Sequence, residues 1–152
     1  MTEQDMQFMA LALEQARLAE KEGEVPVGAV VVCHEQVIGA GRNQTIAHCD
    51  PTAHAEILAL RQAAQTVGNY RLTGCTLYAT LEPCAMCAGA AVLARLDRLV
   101  YACDDPKAGA VRTLFRITDD QRLNHAMQVT KGVMEAECGD YLRRFFQKRR
   151  NG

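Results

Sequence analysis

Two short motifs, thirty residues apart, constrain the fold of this chain more than any other feature of its sequence. The first is His54-Ala55-Glu56 and the second is Pro83-Cys84-Ala85-Met86-Cys87. An imidazole and two thiolates suit zinc, and three protein ligands leave the fourth tetrahedral position open to water. In such sites the pKa of the water falls from about 15.7 to roughly 7. The chain must therefore bring His54, Cys84 and Cys87 together, and the pattern is typical of a hydrolase.

The length and composition of the chain indicate one compact domain. It has 152 residues, 49% of them hydrophobic, which suffices for one core but leaves no room for a second domain. No run of about 18 apolar residues exists, and the N-terminal residues 1–5 are polar and acidic. Because neither a membrane span nor a secretory signal is readable, we expect a single domain over residues 1–152, without a membrane, in the cytoplasm.

The cysteine count and the charge distribution limit which kinds of binding site the chain can form. Seven cysteines are an odd number on a chain without an export signal, which favours metal binding or burial over a disulfide framework. The net charge is −1, but the basic C-terminal segment, residues 143–152, carries five basic side chains and no acidic one. Its mixture of charge and phenylalanine rings suits phosphates and unstacked bases. The same composition also describes a solvated terminal helix that uses its phenylalanines for packing.

Apolar spacing and turn residues predict alternating strands and helices after an N-terminal helix. The predicted helices cover residues 5–22, 50–64, 83–96 and about 135–150, with a helical patch near 111–116. The predicted strands cover residues 25–32, 36–41, 72–80, 98–103 and 127–130. The first two strands form an antiparallel hairpin, in which Pro26 favours a strand start or an edge position. The order predicts one mixed sheet with helices on both faces and the last three strands parallel.

The starts of two predicted helices carry both motifs. Asp50 as N-cap with Pro51 in the first helical position starts one helix, and Glu82-Pro83 starts the other. Cys84 and Cys87 are three residues apart, so their sulfurs share one helix face, and the helix N-terminus favours thiolates. The imidazole of the first motif joins them if two parallel strand-helix units place both helix starts at one sheet edge.

Glu56 is better suited to proton transfer than to metal binding. It lies about 200° around the helix from His54, which directs it away from the same ion. A carboxylate beside the activated water can take its proton and pass it to a leaving group, and such transfers contribute about 10²–10⁴-fold to a rate.

Each motif has an ordinary structural explanation when taken alone. His54 fits a helix-start histidine, Glu56 fits a first-turn carboxylate, and Cys84 with Cys87 fits a thioredoxin-like redox dithiol or two buried thiols. The combination of both motifs favours a metal site. A closed structural zinc site needs a fourth protein ligand, for which the sequence offers Cys33, Cys49, Cys75, Cys103 and His48.

The two motifs together resemble the H-x-E and P-C-x-x-C pattern of the zinc-dependent cytidine deaminase superfamily. Longer blocks resemble the bacterial tRNA-specific adenosine deaminases over essentially the whole length, namely Asn43 and residues 50–57, 69–72, 80–90, 107–110 and 124–125. The resemblance implies a cytidine-deaminase-like three-layer α/β/α fold with a five-stranded mixed sheet. It also implies hydrolytic conversion of adenosine to inosine at the wobble position of the anticodon loop, in an arginine tRNA.

The resemblance also assigns roles to individual residues. It implies a homodimer with one Zn²⁺ per subunit held by His54, Cys84 and Cys87, and attack of zinc-bound hydroxide on C6 with Glu56 as proton shuttle. The substrate-binding positions that it implies are Asn43, Ala55, Asp105, Phe145 and Arg149. Without the resemblance, Asn43 is explained as a strand-end turn residue and Asp105 as a helix or turn cap.

Two other functions share the zinc residues. One is deamination of a free nucleobase or nucleoside, such as guanine or cytosine, and the other is a non-catalytic zinc protein that binds RNA. The basic C-terminal segment favours RNA over a free base. Glu56 argues against the non-catalytic protein, because a degenerate member would lose its proton carrier before its metal ligands.

Overall fold

The computed structural model describes residues 2–151, and its strands form one mixed five-stranded sheet in the order β2-β1-β3-β4-β5. The strands are β1 (Gly28–Cys33), β2 (Gln36–Arg42), β3 (Cys75–Leu81), β4 (Arg98–Cys103) and β5 (Gln128–Lys131). Strand β1 pairs antiparallel with β2 and β3, whereas β3, β4 and β5 run parallel. The predicted mixed sheet, with its last three strands parallel, is confirmed.

Within residues 2–151, four helices cover the two faces of the sheet and complete three layers. They are α1 (Glu3–Lys21), α2 (Ala55–Val67), α3 (Ala85–Leu93) and α4 (Glu135–Asn151). On one face α2 and α3 enclose a core that includes Ala59, Leu77 and Ala91. On the other face α1 and α4 enclose a second core that includes Met9 and Cys138. Parallel strands are usually buried on both faces in this way.

A buried ion pair fixes the start of α1 against the sheet. Asp5 is 2% exposed, and its carboxylate accepts hydrogen bonds from both terminal nitrogens of Arg98, at 2.7 and 2.8 Å, and from the hydroxyl of Tyr78 at 2.8 Å. Thr2 caps the helix in a capping box with Asp5. The predicted start at residue 5 is wrong because the cap lies three residues earlier.

The predicted starts of α2 and α3 are also wrong, because the N-cap lies four residues later than predicted in α2 and two residues later in α3. The N-cap of α2 is His54, and the carboxylate of Asp50 instead accepts hydrogen bonds from the backbone and hydroxyl of Thr52, which is a local turn. The N-cap of α3 is Cys84, so Pro83 precedes the helix. The first candidate ligand of each motif, His54 or Cys84, is therefore an N-cap.

Three smaller expectations also need correction. Pro26 stands two residues before β1, close to the strand start that was one of its two predicted positions. The other predicted position, a sheet edge, is wrong because β1 lies between β2 and β3. Residues 111–116 contain no helix, because 111–113 form a turn, 114 is a bend and 115–116 are irregular. The first and third strands begin about three residues later than predicted, at Gly28 and Cys75.

Strand direction brings three connecting segments to one edge of the sheet. Because β1 is antiparallel to both β2 and β3, strands β2, β3 and β4 all end at the same edge. Helix α2 lies directly on β2, since a Cβ added at Gly41 would stand 2.3 Å from the carbonyl oxygen of Ala55. This close approach places the start of α2 beside the start of α3. Of the helices within residues 2–151, none combines the length and apolar character that a bilayer crossing needs.

Candidate active site

His54, Cys84 and Cys87 converge where β2 and β3 end. The Nδ1 atom of His54 lies 3.6 Å from the Sγ atom of Cys84 and 3.6 Å from that of Cys87. One ligand atom from each residue lies within 4.8 Å of the others. The predicted meeting of these three residues at one sheet edge is confirmed.

The helix starts explain this convergence. His54 and Cys84 are N-caps with extended backbones, and neither side chain makes a capping hydrogen bond. Both side chains are therefore free to point at a shared ligand. Cys87 is the third helical residue after Cys84, and an N-cap side chain faces the residue in that position, as in a capping box. The Cys-x-x-Cys spacing thus uses ordinary N-terminal helix geometry.

The distances fit a tetrahedral zinc ion. Zinc binds cysteine sulfur at about 2.3 Å and histidine nitrogen at about 2.0–2.1 Å. At a tetrahedral angle these lengths separate sulfur and nitrogen by about 3.5 Å, close to the 3.6 Å between the His54 nitrogen and each sulfur. Across residues 2–150, no fourth histidine, cysteine or carboxylate joins the group. The fourth ligands considered for a closed site are therefore absent, and the donor set is that of an open catalytic site.

The thiols show the electrostatics of a chelating pair. Hydrogen bonds from Cys87 and His54 lower the pKa of Cys84 to about 3. The Cys84 thiolate, together with burial, raises the pKa of Cys87 far above its ordinary value. The hydrogen bond to Cys84 also raises the pKa of His54. Without a cation the pair therefore retains a proton, which a bound divalent ion would displace.

Glu56 is buried beside the three ligands. It is 4% exposed, and burial raises its pKa to about 7, against the opposing effects of its own backbone N–H and of His54. The carboxylate lies outside the three-residue ligand group. This placement agrees with the prediction that Glu56 does not bind the ion. A group with a pKa near neutrality can both accept and donate a proton at physiological pH.

A cavity of about 330 Å³ opens above these residues, a volume that suits a small ligand. Its lining consists of Val25, Val27, Asn43, Thr45, His54, Ala55, Glu56, Leu81, Glu82, Cys84, Asp105 and Ala108. Asn43 is 9% exposed, and its Oδ1 atom is buried without a hydrogen-bond partner within residues 2–150. Because buried polar atoms are normally paired, this acceptor is available to a ligand. Ala55 contributes a small apolar wall.

Asp105 lines the same cavity from the segment that follows β4. Its Oδ1 atom accepts the backbone N–H groups of Lys107 at 3.0 Å and Ala108 at 3.2 Å. Asp105 therefore caps a turn, as its ordinary structural explanation predicted. It also forms part of the pocket wall.

Two buried glutamates that the motifs did not reveal hold the pocket walls. Glu82 is 2% exposed and Glu24 is 1% exposed. The carboxylate of Glu24 accepts the N–H groups of Ile46 at 3.1 Å and Ala47 at 2.9 Å. Burial favours the neutral form of Glu82, but hydrogen bonds from the backbone and hydroxyl groups around it lower its pKa to about 2. For Glu82, the sequence signal that was available is a charged residue next to a proline at the end of a buried strand.

Phe145 and Arg149 lie on α4, away from the cavity. Phe145 is 8% exposed, and the Arg149 guanidinium stands 4.7 Å from the centre of its ring. Arg149 also donates a hydrogen bond to the carbonyl oxygen of Gly23 at 3.1 Å. The structure therefore places these two residues in packing between α4 and the end of α1, and brings Asn43, Ala55 and Asp105 to the pocket.

Comparison with known proteins places the chain in a family. The family model described as MafB19-like deaminase matches residues 3–150. The chain belongs to this family. It is 51% identical to the tRNA-specific adenosine deaminase of Haemophilus influenzae, over 98% of this chain and 87% of the relative. It is 44% identical to the tRNA-specific adenosine deaminase of Bacillus subtilis, over 97% of this chain and 91% of the relative.

Solved structures of other deaminases share the fold. One from a study of A-to-I editing by tRNA A34 deaminases at the wobble position is 46% identical, with a TM-score of 0.86 over 90% of this chain and 99% of the other. Another, from a study of guanine deaminase of Nitrosomonas europaea, is 24% identical, with a TM-score of 0.75 over 92% of this chain and 83% of the other. The second likeness concerns the fold alone. The expected cytidine-deaminase-like fold is confirmed.

Proposed function

We infer that this chain hydrolyses adenosine to inosine at the wobble position of a tRNA anticodon loop and releases ammonia. One observation carries the inference: a His54, Cys84 and Cys87 ligand set stands beside buried Glu56 in a chain that matches tRNA-specific adenosine deaminases over nearly its whole length. The guanine deaminase likeness concerns the fold and does not extend to the substrate.

Each residue of the site has a distinct task in this reaction. His54, Cys84 and Cys87 would hold one Zn²⁺, and the bound ion would supply the Lewis acidity that makes water nucleophilic near neutral pH. Glu56 accepts a proton from the attacking water and delivers it to the amino group that leaves C6. One water is consumed, the C6–N6 bond breaks, and ammonia departs. The burial of Glu56 excludes bulk water from the proton path.

The substrate base is held by residues around the pocket. Asn43 offers an unpaired buried acceptor, which suits a base that carries N–H donors. Ala55 provides a wall small enough for a flat ring to approach. Asp105 contacts the backbone of a neighbouring nucleotide. The target nucleotide enters from a loop in which its base is already exposed, so no duplex must open.

The basic C-terminal helix extends the RNA-binding surface. Helix α4 ends with Lys148, Arg149 and Arg150 in its last turn, which suits phosphate contacts. Phe145 and Arg149 contact the anticodon stem-loop once α4 adjusts to the RNA. We assign residues 1–152 to one deaminase domain that acts on an arginine tRNA. We place this reaction in the cytoplasm.

We also assign the protein to a homodimer with one zinc ion per subunit. An apolar groove between α2 and α3 is open to solvent and includes Ile57, Leu60 and Ala90. Two large side chains at its border, Tyr70 and Leu93, are 69% and 73% exposed. Contiguous exposed apolar surface of this kind favours protein association, and the small residues of α3 permit close approach by a second copy.

The decisive experiment compares substrates. Purified zinc-loaded protein is given an anticodon stem-loop RNA, free guanine, free cytosine and free adenosine, and ammonia release is measured. Conversion of the wobble adenosine, read as guanosine on sequencing, supports the proposal. Strong activity on a free base with none on the RNA would overturn it. Sequencing total tRNA from cells with and without the protein identifies the edited species, and absence of any change there would also contradict it.

A further inference from the structure

Glu82 is a buried carboxylate that the proposed chemistry does not use. It follows the last residue of β3 and stands two residues before Cys84. Its Oε1 atom accepts the backbone N–H of Asp105 at 3.0 Å. Its Oε2 atom accepts three further N–H groups, those of Val111 at 3.0 Å, Arg112 at 2.8 Å and Thr113 at 3.0 Å. One side chain thus binds both ends of residues 105–113, here called the Asp105 loop.

Other contacts tie the same loop to the start of α3. The hydroxyl of Thr113 also donates to Oε1 of Glu82, and the N–H of Ala110 donates to the carbonyl oxygen of Pro83 at 2.9 Å. A Cβ added at Gly109 would lie 2.3 Å from Oε1 of Glu82 and 2.6 Å from the carbonyl oxygen of Asp105. The loop therefore wraps the carboxylate without space for a larger residue.

We propose that Glu82 is a positioning residue that fixes Asp105 over the pocket relative to the metal ligand Cys84. The proposal rests on the proposed function, in which Asp105 contacts the nucleotide next to the target adenosine. One residue, Pro83, separates Glu82 from Cys84, and a single hydrogen bond links Glu82 to the backbone of Asp105. The distance between the nucleotide contact and the reacting centre is set through this carboxylate.

Replacing Glu82 with glutamine perturbs Asp105 selectively. The amide oxygen can face the three N–H groups of residues 111–113, which leaves the amide nitrogen facing the N–H of Asp105. Two donors then meet, so Asp105 loses its anchor while the three N–H bonds of residues 111–113 are kept. The Thr113 hydroxyl, which donates to Oε1 in the wild type, can turn to accept from the amide nitrogen. A hydrogen bond to a charged group is worth about 10- to 100-fold in an equilibrium or rate. We expect E82Q to lower kcat/KM on the stem-loop RNA by about that factor, with one zinc per chain retained.

A double-mutant cycle separates positioning from a merely structural role. D105A is made in the wild-type and E82Q backgrounds, and kcat/KM on the stem-loop RNA is measured for all four proteins. D105A lowers log kcat/KM by some amount in the wild-type background. In the E82Q background we expect it to lower log kcat/KM by at most a third of that amount, because Asp105 is already displaced. Additive effects, or loss of zinc from E82Q by elemental analysis, would overturn the proposal.

Two further variants secure the test. T113V removes only the hydroxyl that donates to Oε1, at an exposed position, so it folds even if E82Q does not, and it should couple with D105A in the same direction. E24Q is the matched control, because Glu24 anchors Ile46 and Ala47 instead, and its effect should add to that of D105A. Additivity of T113V with D105A would also count against the proposal. A wild-type protein without activity on RNA would instead remove the proposed function itself.

Discussion

Replacement of Glu56 by glutamine tests the chemical step most directly. The amide has nearly the shape of the carboxylate, and the side chain is 4% exposed beside ligands that it does not join. The variant should therefore fold, hold one zinc ion and bind the stem-loop RNA with a Kd within about twofold of the wild type. Only the ability to carry a proton is removed. General acid–base catalysis of this kind contributes about 10²–10⁴-fold, so kcat should fall by that factor.

This loss corresponds to about 2.7–5.4 kcal/mol of barrier, at 1.36 kcal/mol for each tenfold change. The assay is single-turnover inosine formation in stem-loop RNA, with zinc measured by elemental analysis and binding by fluorescence anisotropy. E3Q is the matched control, because Glu3 is an exposed carboxylate in the first turn of α1 and its loss changes the charge equally. Turnover by E56Q within tenfold of the wild type would refute the role of Glu56 as proton carrier.

Four other perturbations probe the site and the fold. C84S should lower the zinc content well below one per chain, and an unaltered metal count would contradict the ligand assignment. N43A should lower kcat/KM on RNA about tenfold with zinc retained, measured by steady-state kinetics. Arg98 holds the pKa of Asp5 well below its usual range, so their ion pair stabilises the fold above about pH 4 and is lost on acidification. D5N should lower the free energy of unfolding by about 3 kcal/mol near pH 7 and Tm by about 6–12 °C. It should also weaken the dependence of stability on acid pH. If the proposed homodimer forms through the groove between α2 and α3, L93E should leave monomers, measured by light scattering, and an unchanged mass would contradict that interface.

The sequence predicted the sheet and the meeting of His54, Cys84 and Cys87 because both depend on patterns that local chemistry enforces. Strand–helix alternation determines which strands run parallel, and the parallel direction of β2 and β3 brings His54 to Cys84. The spacing of Cys84 and Cys87 places both sulfurs on one face of whichever helix contains them. Neither inference required the helix boundary to be correct within two residues.

The helix boundaries were harder to predict because side chains of the same type had competing partners. Asp50 and Pro51 form a good N-terminal signal, yet the carboxylate of Asp50 closes a turn with Thr52. Glu82 carries the charge that favours the first turn of a helix, but both of its carboxylate oxygens accept hydrogen bonds from the Asp105 loop instead. Such choices depend on segments far away in the chain, which local propensity cannot register.

The predicted RNA contacts on α4 stand apart from the pocket residues for a related reason. Helical spacing and charge identify a basic end, but they do not show that Phe145 packs at 8% exposure while Phe146, its neighbour, is 45% exposed. Which of two adjacent rings is available to a base depends on how α4 lies against α1. In this structure Asn43, Ala55 and Asp105 line the pocket, whereas Phe145 is packed and would have to leave that packing before it could stack on a base.

The positions of the metal ligands at N-caps connect the fold to the chemistry. The first amide groups of a helix have no intrahelical acceptor and carry the positive end of the helix dipole, so a thiolate in that position is stabilised before any ion binds. Because His54 and Cys84 make no capping hydrogen bond, their side chains remain available as ligands. Substituting a strong capping residue at either position would satisfy the helix and abolish the metal site. Selection for helix stability alone would therefore remove two of the three residues to which we assign metal binding.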